Sequence, residues 1–350
     1  MGKRSFLHFA VIFMAAILGV LLGLNHNGTS IMKNGRILDL FVRSRKSESS
    51  ETEKLETLKT RIPETKKELT VFENKEILNI LLLGIDRRSK AEITYNTDTM
   101  ILLSVNKGGN IVLLTSVPRD LWVNGNKINA LYSIQGEDAP VVAFEKITGL
   151  AVDGYIRCDF EDFRWIVDSF GGVPTDIERT FSDNSFPNNS DTGILSVTFE
   201  KGLEKMGGDR ALTFARSRKG NNSEGSDLMR AKRQHRILMG MVDAISQPDS
   251  IFWPMNLPKF YETVTQHMYT TLNLEDATYL WDFYKDRDEY EIISFVVDDK
   301  YIYHPGLYPQ SEYKAWVFIP KEESFETLHS DIRKMLYPDT LTEATKGTNN

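Results

Sequence analysis

The chain has 350 residues, with 42 Lys and Arg against 49 Asp and Glu, a formal net charge of −7 and 41% hydrophobic residues. This composition excludes a collagenous or wholly disordered chain and leaves ample sequence for a packed core. Net acidity argues against nucleic acid as a partner, and a single cysteine excludes an intramolecular disulfide framework or a CxxC redox centre.

The charge is unevenly spread. Through Lys75 there are 13 basic and eight acidic residues, a net of +5, so the remainder carries −12. After a short tail (1–5), residues 6–24 read FLHFAVIFMAAILGVLLGL, with one His and no formal charge. A helix of this length spans roughly 28 Å, about the thickness of a bilayer's hydrocarbon core. The run exceeds the roughly 7–15 apolar residues of a cleaved signal peptide, and NHNGTS is a poor cleavage site, so it reads as a transmembrane anchor. Lys3 and Arg4 on one side and Lys33, Arg36 and Arg43 on the other leave orientation open on charge alone. Residues 25–75 are densely charged from Arg43 onward and read as a solvated stalk.

The body opens with a buried-strand pattern at Ile77–Ile85, followed by a second at Thr99–Val105 and a third at Ile111–Val117. KGGN between the last two predicts a hairpin. A short helix follows over Val141–Gly149, a strand over Gly154–Phe160, and a helix over Phe163–Phe170 stopped by Gly171-Gly172. Leu212–Arg218 reads as strand-like or as the end of a short helix, and Asp227–Ser246 as a strong helix. Helices around Pro258–Met268 and Leu274–Lys285 and a strand at Glu291–Val297 complete the body. Mixed strands and helices without interruption predict one α/β domain over 76–338, followed by a disordered tail at 339–350.

Two carboxylates stand at strand ends: Asp86 after the first strand and Asp98 before the second. They could share a Mg²⁺, which takes oxygen ligands, or serve as turn-formers and partners of Arg87 and Arg88. The segment Arg216–Arg236 holds Arg216, Arg218, Lys219, Arg230, Lys232, Arg233 and Arg236 against Glu224 and Asp227, a net of +5 inside an acidic body. Arg216 and Arg218, two apart, would share one face of an extended segment. Asp227, Arg230 and Gln234 share one helix face, and Arg119 could join from another strand end. Converging guanidiniums at a helix N-terminus suit an anion, while a solvated basic face is the alternative. Cys158 reads as a core residue. There is no GxSxG, Walker or dinucleotide fingerprint.

Taken in order, LLLGIDRR (81–88), TDTMILLSV (97–105), SVPRDLWV (116–123), NKINALY (126–132), the DxFGGV turn (168–173), ALTFARSR (211–218) and DLMRAKRQ (227–234) resemble the LytR-CpsA-Psr family of membrane-anchored bacterial cell-wall enzymes. The resemblance runs from Ile77 to about Ser246 and continues more loosely beyond. It implies a single α/β/α domain with a central mixed sheet flanked by helices and a hydrophobic pocket for a polyprenyl chain. It further implies Mg²⁺ at Asp86 and Asp98, and pyrophosphate held by Arg119, Arg216, Arg218, Arg230 and Gln234, with Asp227 and Arg233 in support. Asp98, Arg119 and Arg216 are the expected catalytic residues.

The implied reaction moves an anionic glycopolymer, of teichoic acid or capsular type, from an undecaprenyl-pyrophosphate carrier to peptidoglycan through a phosphodiester. The implied location is the cell membrane, single-pass, with the N-terminus inside and the domain outside. A polyprenyl-pyrophosphate phosphatase and a non-catalytic membrane-bound regulator that binds lipid pyrophosphate are the alternatives. The chain departs from the family at ALYSIQGEDA after Asn129 and at KGNNSEGS after Arg218.

Overall fold

Three near-continuous apolar runs organise the domain. Ile77–Ile85 (β1), Thr97–Asn106 (β2) and Ile111–Ser116 (β3) are so rich in Leu, Ile and Val that both faces of each must be covered. In the computed structural model they form the centre of one sheet, each antiparallel to the next, with the predicted hairpin joining β2 to β3. The structure describes residues 75–87, 95–188, 193–245, 265–273, 276, 279–280 and 289–338.

A two-stranded ribbon, β4 (Trp122–Val123) and β5 (Asn126–Lys127), leads into α1 (Leu131–Gln135) and α2 (Ala139–Thr148). Then come β6 (Gly154–Cys158), α3 (Phe160–Ser169), β7 (Val173–Ile177), β8 (Phe181–Pro187), β9 (Ile194–Phe199), β10 (Gly202–Met206), α4 (Gly208–Arg216) and α5 (Asp227–Ile245). The last described elements are β11 (Tyr269–Thr270), β12 (Glu291–Val296), β13 (Ile302–Tyr303), β14 (Ile319–Pro320) and α6 (Glu326–Leu336). The main sheet has the order β11-β6-β1-β2-β3-β12. β6 runs parallel to β1 and β12 parallel to β3, so the sheet is mixed. The C-terminal ends of β1, β3, β6 and β12 therefore share an edge with the N-terminal end of β2.

Strand alternation divides the core in two. Leu78, Ile80 and Leu82 of β1 pack with Phe170 of the α3 end, Phe214 of α4 and Ile237 of α5. Leu81 and Leu83 pack on the other face with Phe144 of α2 and Leu328 and Ile332 of α6. Helices cover both faces, as expected of an α/β/α domain.

Several expectations are corrected. The helix placed at Phe163–Phe170 begins earlier, at Phe160, because Asp159 accepts from the Asp162 amide and the Asp162 carboxylate reaches back in a capping box. It ends where Gly171 and Gly172 adopt φ of 74° and 96°. Of the two readings left open for Leu212–Arg218, strand-like or the end of a short helix, the structure has the helix, which ends at Arg216. Its apolar Ala211, Leu212, Phe214 and Ala215 pack at helical spacing, so Arg216 and Arg218 do not alternate along a strand. The β7–β10 and β8–β9 ribbons and α6 were not anticipated. The anchor at 6–24, the stalk to residue 74 and the tail at 339–350 lie outside the described residues, as do most of the helices placed around Pro258–Met268 and Leu274–Lys285. Among the described residues no helix is long and apolar enough to cross a membrane.

Candidate functional site

The sheet edge named above carries the polar residues, and backbone geometry aims them. A Cβ on Gly84 would sit 2.8 Å from the Thr99 Cβ, so only glycine lets β1 approach β2 there. Pairing then slips: Gly84 faces Thr99, Ile85 faces Thr97, and Asp98 is left over as a bulge. Bulges re-aim side chains at sheet rims. Asp98 accepts from Arg119 Nη1 at 2.6 Å, and the Asp86 amide donates to the Asn96 carbonyl at 2.8 Å, tying the end of β1 to the start of β2. Burial works against the Arg119 charge, but Asp98, Asp120 and Asp227 outweigh it and hold its pKa above the ordinary guanidinium value.

The basic residues arrive on a helix end, a turn and a helix start. Arg216 closes α4 with its guanidinium over the Phe160 and Phe186 rings, at 4.4 and 5.5 Å from their centroids. The chain then turns around Asp183 of β8, a buried carboxylate that accepts from Ser217 Oγ at 2.7 Å and from the amides of Arg218 and Lys219 at 3.2 and 3.1 Å. Burial opposes the Asp183 charge, but the Ser217 hydroxyl and the amides of Ser185, Lys219 and Arg218 prevail and hold it below the usual carboxylate range. Sequence reasoning missed Asp183, whose surroundings (Ser182-Asp183-Asn184-Ser185) read as turn composition.

On α5 the predicted face is formed. Asp227 Oδ1 lies 3.0 Å from Arg230 Nη1 and 3.1 Å from Arg218 Nε, bridging the two cations. Gln234 Nε2 donates to Thr99 Oγ1 at 2.9 Å, fastening α5 to the start of β2. Arg230 is buried, which pushes its pKa down to about 10; Arg218 and Arg119 push the same way, and Asp227 and Asp98 resist. Like charges so gathered would be relieved by a bound anion.

Asp86, Asp98, Arg119, Arg216, Arg218, Asp227, Arg230 and Gln234 all line one cavity of about 730 Å³. Arg233 does not. It is fully buried and donates to the carbonyls of Phe214 and Glu224 (both 3.1 Å) and of Ser217, and to Glu224 Oε2 at 2.6 Å. Its support is architectural, bracing the loop that carries Arg218. Cys158, expected in the core, is half-buried on the cavity wall. The same cavity also has apolar walls, with Ile101, Ile156, Phe163, Leu238, Met241 and Met268. Among the described residues no group of three or more His, Cys, Asp and Glu gathers for a metal. Asp86 and Asp98 would offer a hard cation two carboxylates, its other positions being left for substrate and water oxygens, a donor set suited to Mg²⁺.

The LytR_cpsA_psr family profile matches residues 28–330. Among similar proteins is the polyisoprenyl-teichoic acid–peptidoglycan teichoic acid transferase TagV of Bacillus subtilis, 25% identical over 278 residues, covering 77% of this chain and 67% of TagV. Another is TagU of Oceanobacillus iheyensis, 32% identical over 201 residues, covering 54% of this chain and 58% of TagU. In the latter comparison the chain spans little more than half of its relative. Lin1025 of Listeria innocua, 27% identical, superposes with a TM-score of 0.53 over 75% of this chain and all of that one. A structure of TagT bound to LIIa-WTA, 21% identical, shares the fold with a TM-score of 0.56 over 78% of this chain and 98% of that one. By the extent of the profile match, the chain belongs to the LytR-CpsA-Psr family.

Proposed function

We propose that the protein is a phosphotransferase that moves an anionic glycopolymer from an undecaprenyl-pyrophosphate carrier onto peptidoglycan. One observation carries this reading: a single cavity is lined both by four arginines and by a set of apolar side chains. That polarity matches a molecule with a pyrophosphate at one end and a hydrocarbon chain at the other. Because the relatives' names specify teichoic acid, a polymer of that class is the first donor to test.

Arg119, Arg216, Arg218 and Arg230 would bind the pyrophosphate oxygens, and catalysis would rest on positioning and charge stabilisation. Asp98, held by Arg119, would orient the attacking sugar hydroxyl and take its proton. The sugar oxygen bonds to the glycan-side phosphorus, and the bond from that phosphorus to the bridging oxygen breaks. Polyprenyl phosphate leaves, its charge met by the arginines. Asp86 and Asp98 would hold Mg²⁺, which when bound would neutralise part of the pyrophosphate charge. The anchor at 6–24 would place the domain outside the cell membrane, where peptidoglycan lies.

The test combines full-length protein, Mg²⁺, lipid-linked polymer and peptidoglycan fragments. The expected product is a polymer–glycan phosphodiester. Release of polymer phosphate without linkage would mean that water is the acceptor, and no turnover would refute the enzyme reading.

A further inference from the structure

The strip from β13 to β14, residues 301–320, reads YIYHPGLYPQSEYKAWVFIP. It holds four Tyr, one Trp and one Phe, with Glu312 and Lys314 its only formal charges, in a chain that is 11% aromatic and 26% charged. Tyr301 is buried and Phe318 packs partly against the core under α2 and α6. The other rings are turned out: Trp316 is 53% exposed, Tyr308 68% and Tyr303 45%. Large rings left in water in one strip mark a surface that meets a partner.

Trp316 is held in place as a platform. His304 stacks on it with centroids 3.6 Å apart and 28° between the planes, and Phe318 lies edge-on to it at 6.4 Å. The imidazole is pinned in turn: the Val317 carbonyl can only accept, so His304 Nδ1 donates to it at 2.8 Å. One face of the indole is thus covered, and the exposure belongs to the other. A second ring pair, Trp122 and Tyr313, meets edge-on at 5.3 Å. It is tied to the first because the Trp122 amide donates to the Phe318 carbonyl at 2.8 Å, and to Tyr308 because that residue's amide donates to the Tyr313 carbonyl at 2.8 Å.

Backbone joins the strip to the charged site. The Phe318 amide donates to the Asp120 carbonyl at 2.9 Å, and the Asp120 carboxylate lies 3.5 Å from Arg119 Nε. Trp122 follows Arg119 by three residues, at most roughly 11 Å of extended chain. The chemistry of the strip selects its ligand. Aromatic residues that sit at a membrane surface are accompanied by cations for the anionic headgroups, and an anionic polymer would need cations as well. One Lys against one Glu provides for neither. The pyranose rings of a neutral sugar chain present apolar C–H faces to open aromatic faces. Their hydroxyls find partners in the exposed Gln310, Glu312 and Lys314 between the rings.

We propose that this strip is a carbohydrate-binding platform for a neutral polysaccharide chain, the glycan strand of the acceptor, and that it leads a sugar hydroxyl toward the site at Arg119. The assignment of that chain as acceptor rests on the transferase reading above; binding of the chain does not.

The test titrates full-length protein in detergent micelles with the β-1,4-linked hexasaccharide of N-acetylglucosamine, followed by calorimetry. Wild type should bind. Trp316→Ala with Tyr308→Ala should weaken binding about tenfold or more, whereas Trp316→Phe, which keeps a ring, should stay within about threefold of wild type. In the transfer assay the double variant should raise KM for the glycan acceptor by a similar factor and leave KM for the lipid-linked donor unchanged. Absence of hexasaccharide binding by wild type, or equal binding by wild type and the double variant, overturns the proposal. So does tighter binding of poly(glycerol phosphate) at the same rings, or a dimer that the double variant abolishes, which would assign the rings to a second copy. Hexasaccharide binding that the double variant loses, in a wild type without transfer activity, would refute the transferase reading and leave the platform standing.

Discussion

Arg233→Met removes a charge while largely preserving volume, and its cost follows from what it strands. Glu224 is 1% exposed, and its carboxylate would lose the 2.6 Å contact with Arg233, keeping Arg179 at 3.2 Å, a partner half in solvent. The carbonyls of Phe214, Ser217 and Glu224 would lose donors as well. Breaking a buried pair in this way costs about 3–5 kcal/mol, a large share of a stability on the order of 5–15 kcal/mol. The midpoint of thermal unfolding should fall by on the order of 10 °C. Urea unfolding followed by near-ultraviolet circular dichroism measures the loss. Adding Glu224→Gln removes the stranded charge, so the double variant should be more stable than Arg233→Met alone. The reasoning fails if Arg233→Met lies within about 1 kcal/mol of wild type, or if the two changes simply add.

Other consequences concern the site and the sheet beneath it. Arg216→Ala should lower transfer by about 10²–10³-fold while costing no more than about 2 kcal/mol, the worth of its contacts with Phe160 and Phe186; unfolding of the variant under assay conditions would contradict this. Gly84→Ala puts a Cβ 2.8 Å from that of Thr99, which itself holds Gln234. It should cost about 1–3 kcal/mol and reduce turnover, and an unaltered melting curve would show that the strands can part freely. Burial pushes His235 down to about 3, between Ser116 Oγ at 2.7 Å and Ser294 Oγ. From about pH 6.5 to 3 the unfolded chain binds a proton there that the folded chain does not. Its contribution therefore lowers stability as pH falls, by about 1.4 kcal/mol per unit, and levels off below about pH 3. His235→Gln should flatten that slope, and equal slopes in the two proteins would exclude His235 as the cause.

The centre of the sheet is legible from sequence because β1, β2 and β3 are buried on both faces, which demands unbroken apolar runs. The α5 face is legible because Asp227, Arg230 and Gln234 keep helical spacing. The β8–β9 ribbon is not: β8 (FSDNSFP) carries Ser, Asp and Asn over most of its length, and the alternation of Leu195, Val197 and Phe199 in β9 is too short to reveal the pairing alone. Asp183 was hidden for the same reason, as its value lies in three contacts 34 to 36 residues away. Arg233 looked like its neighbours on α5, since net charge along a sequence says nothing about which side of a helix a pocket occupies.

The bulge at Asp98 makes the position of that carboxylate a matter of counting. Its direction comes from one surplus residue between Thr97 and Thr99 opposite Gly84 and Ile85, more than from any particular neighbour. Deleting a single residue from the segment before Thr99 would restore regular pairing and turn a different side chain toward Arg119, although every chemical group of the site would still be present. Diversification of this enzyme should therefore tolerate changes of residue type along 95–97 far better than changes of length, and a library that varies length there would lose activity in nearly every member that still folds.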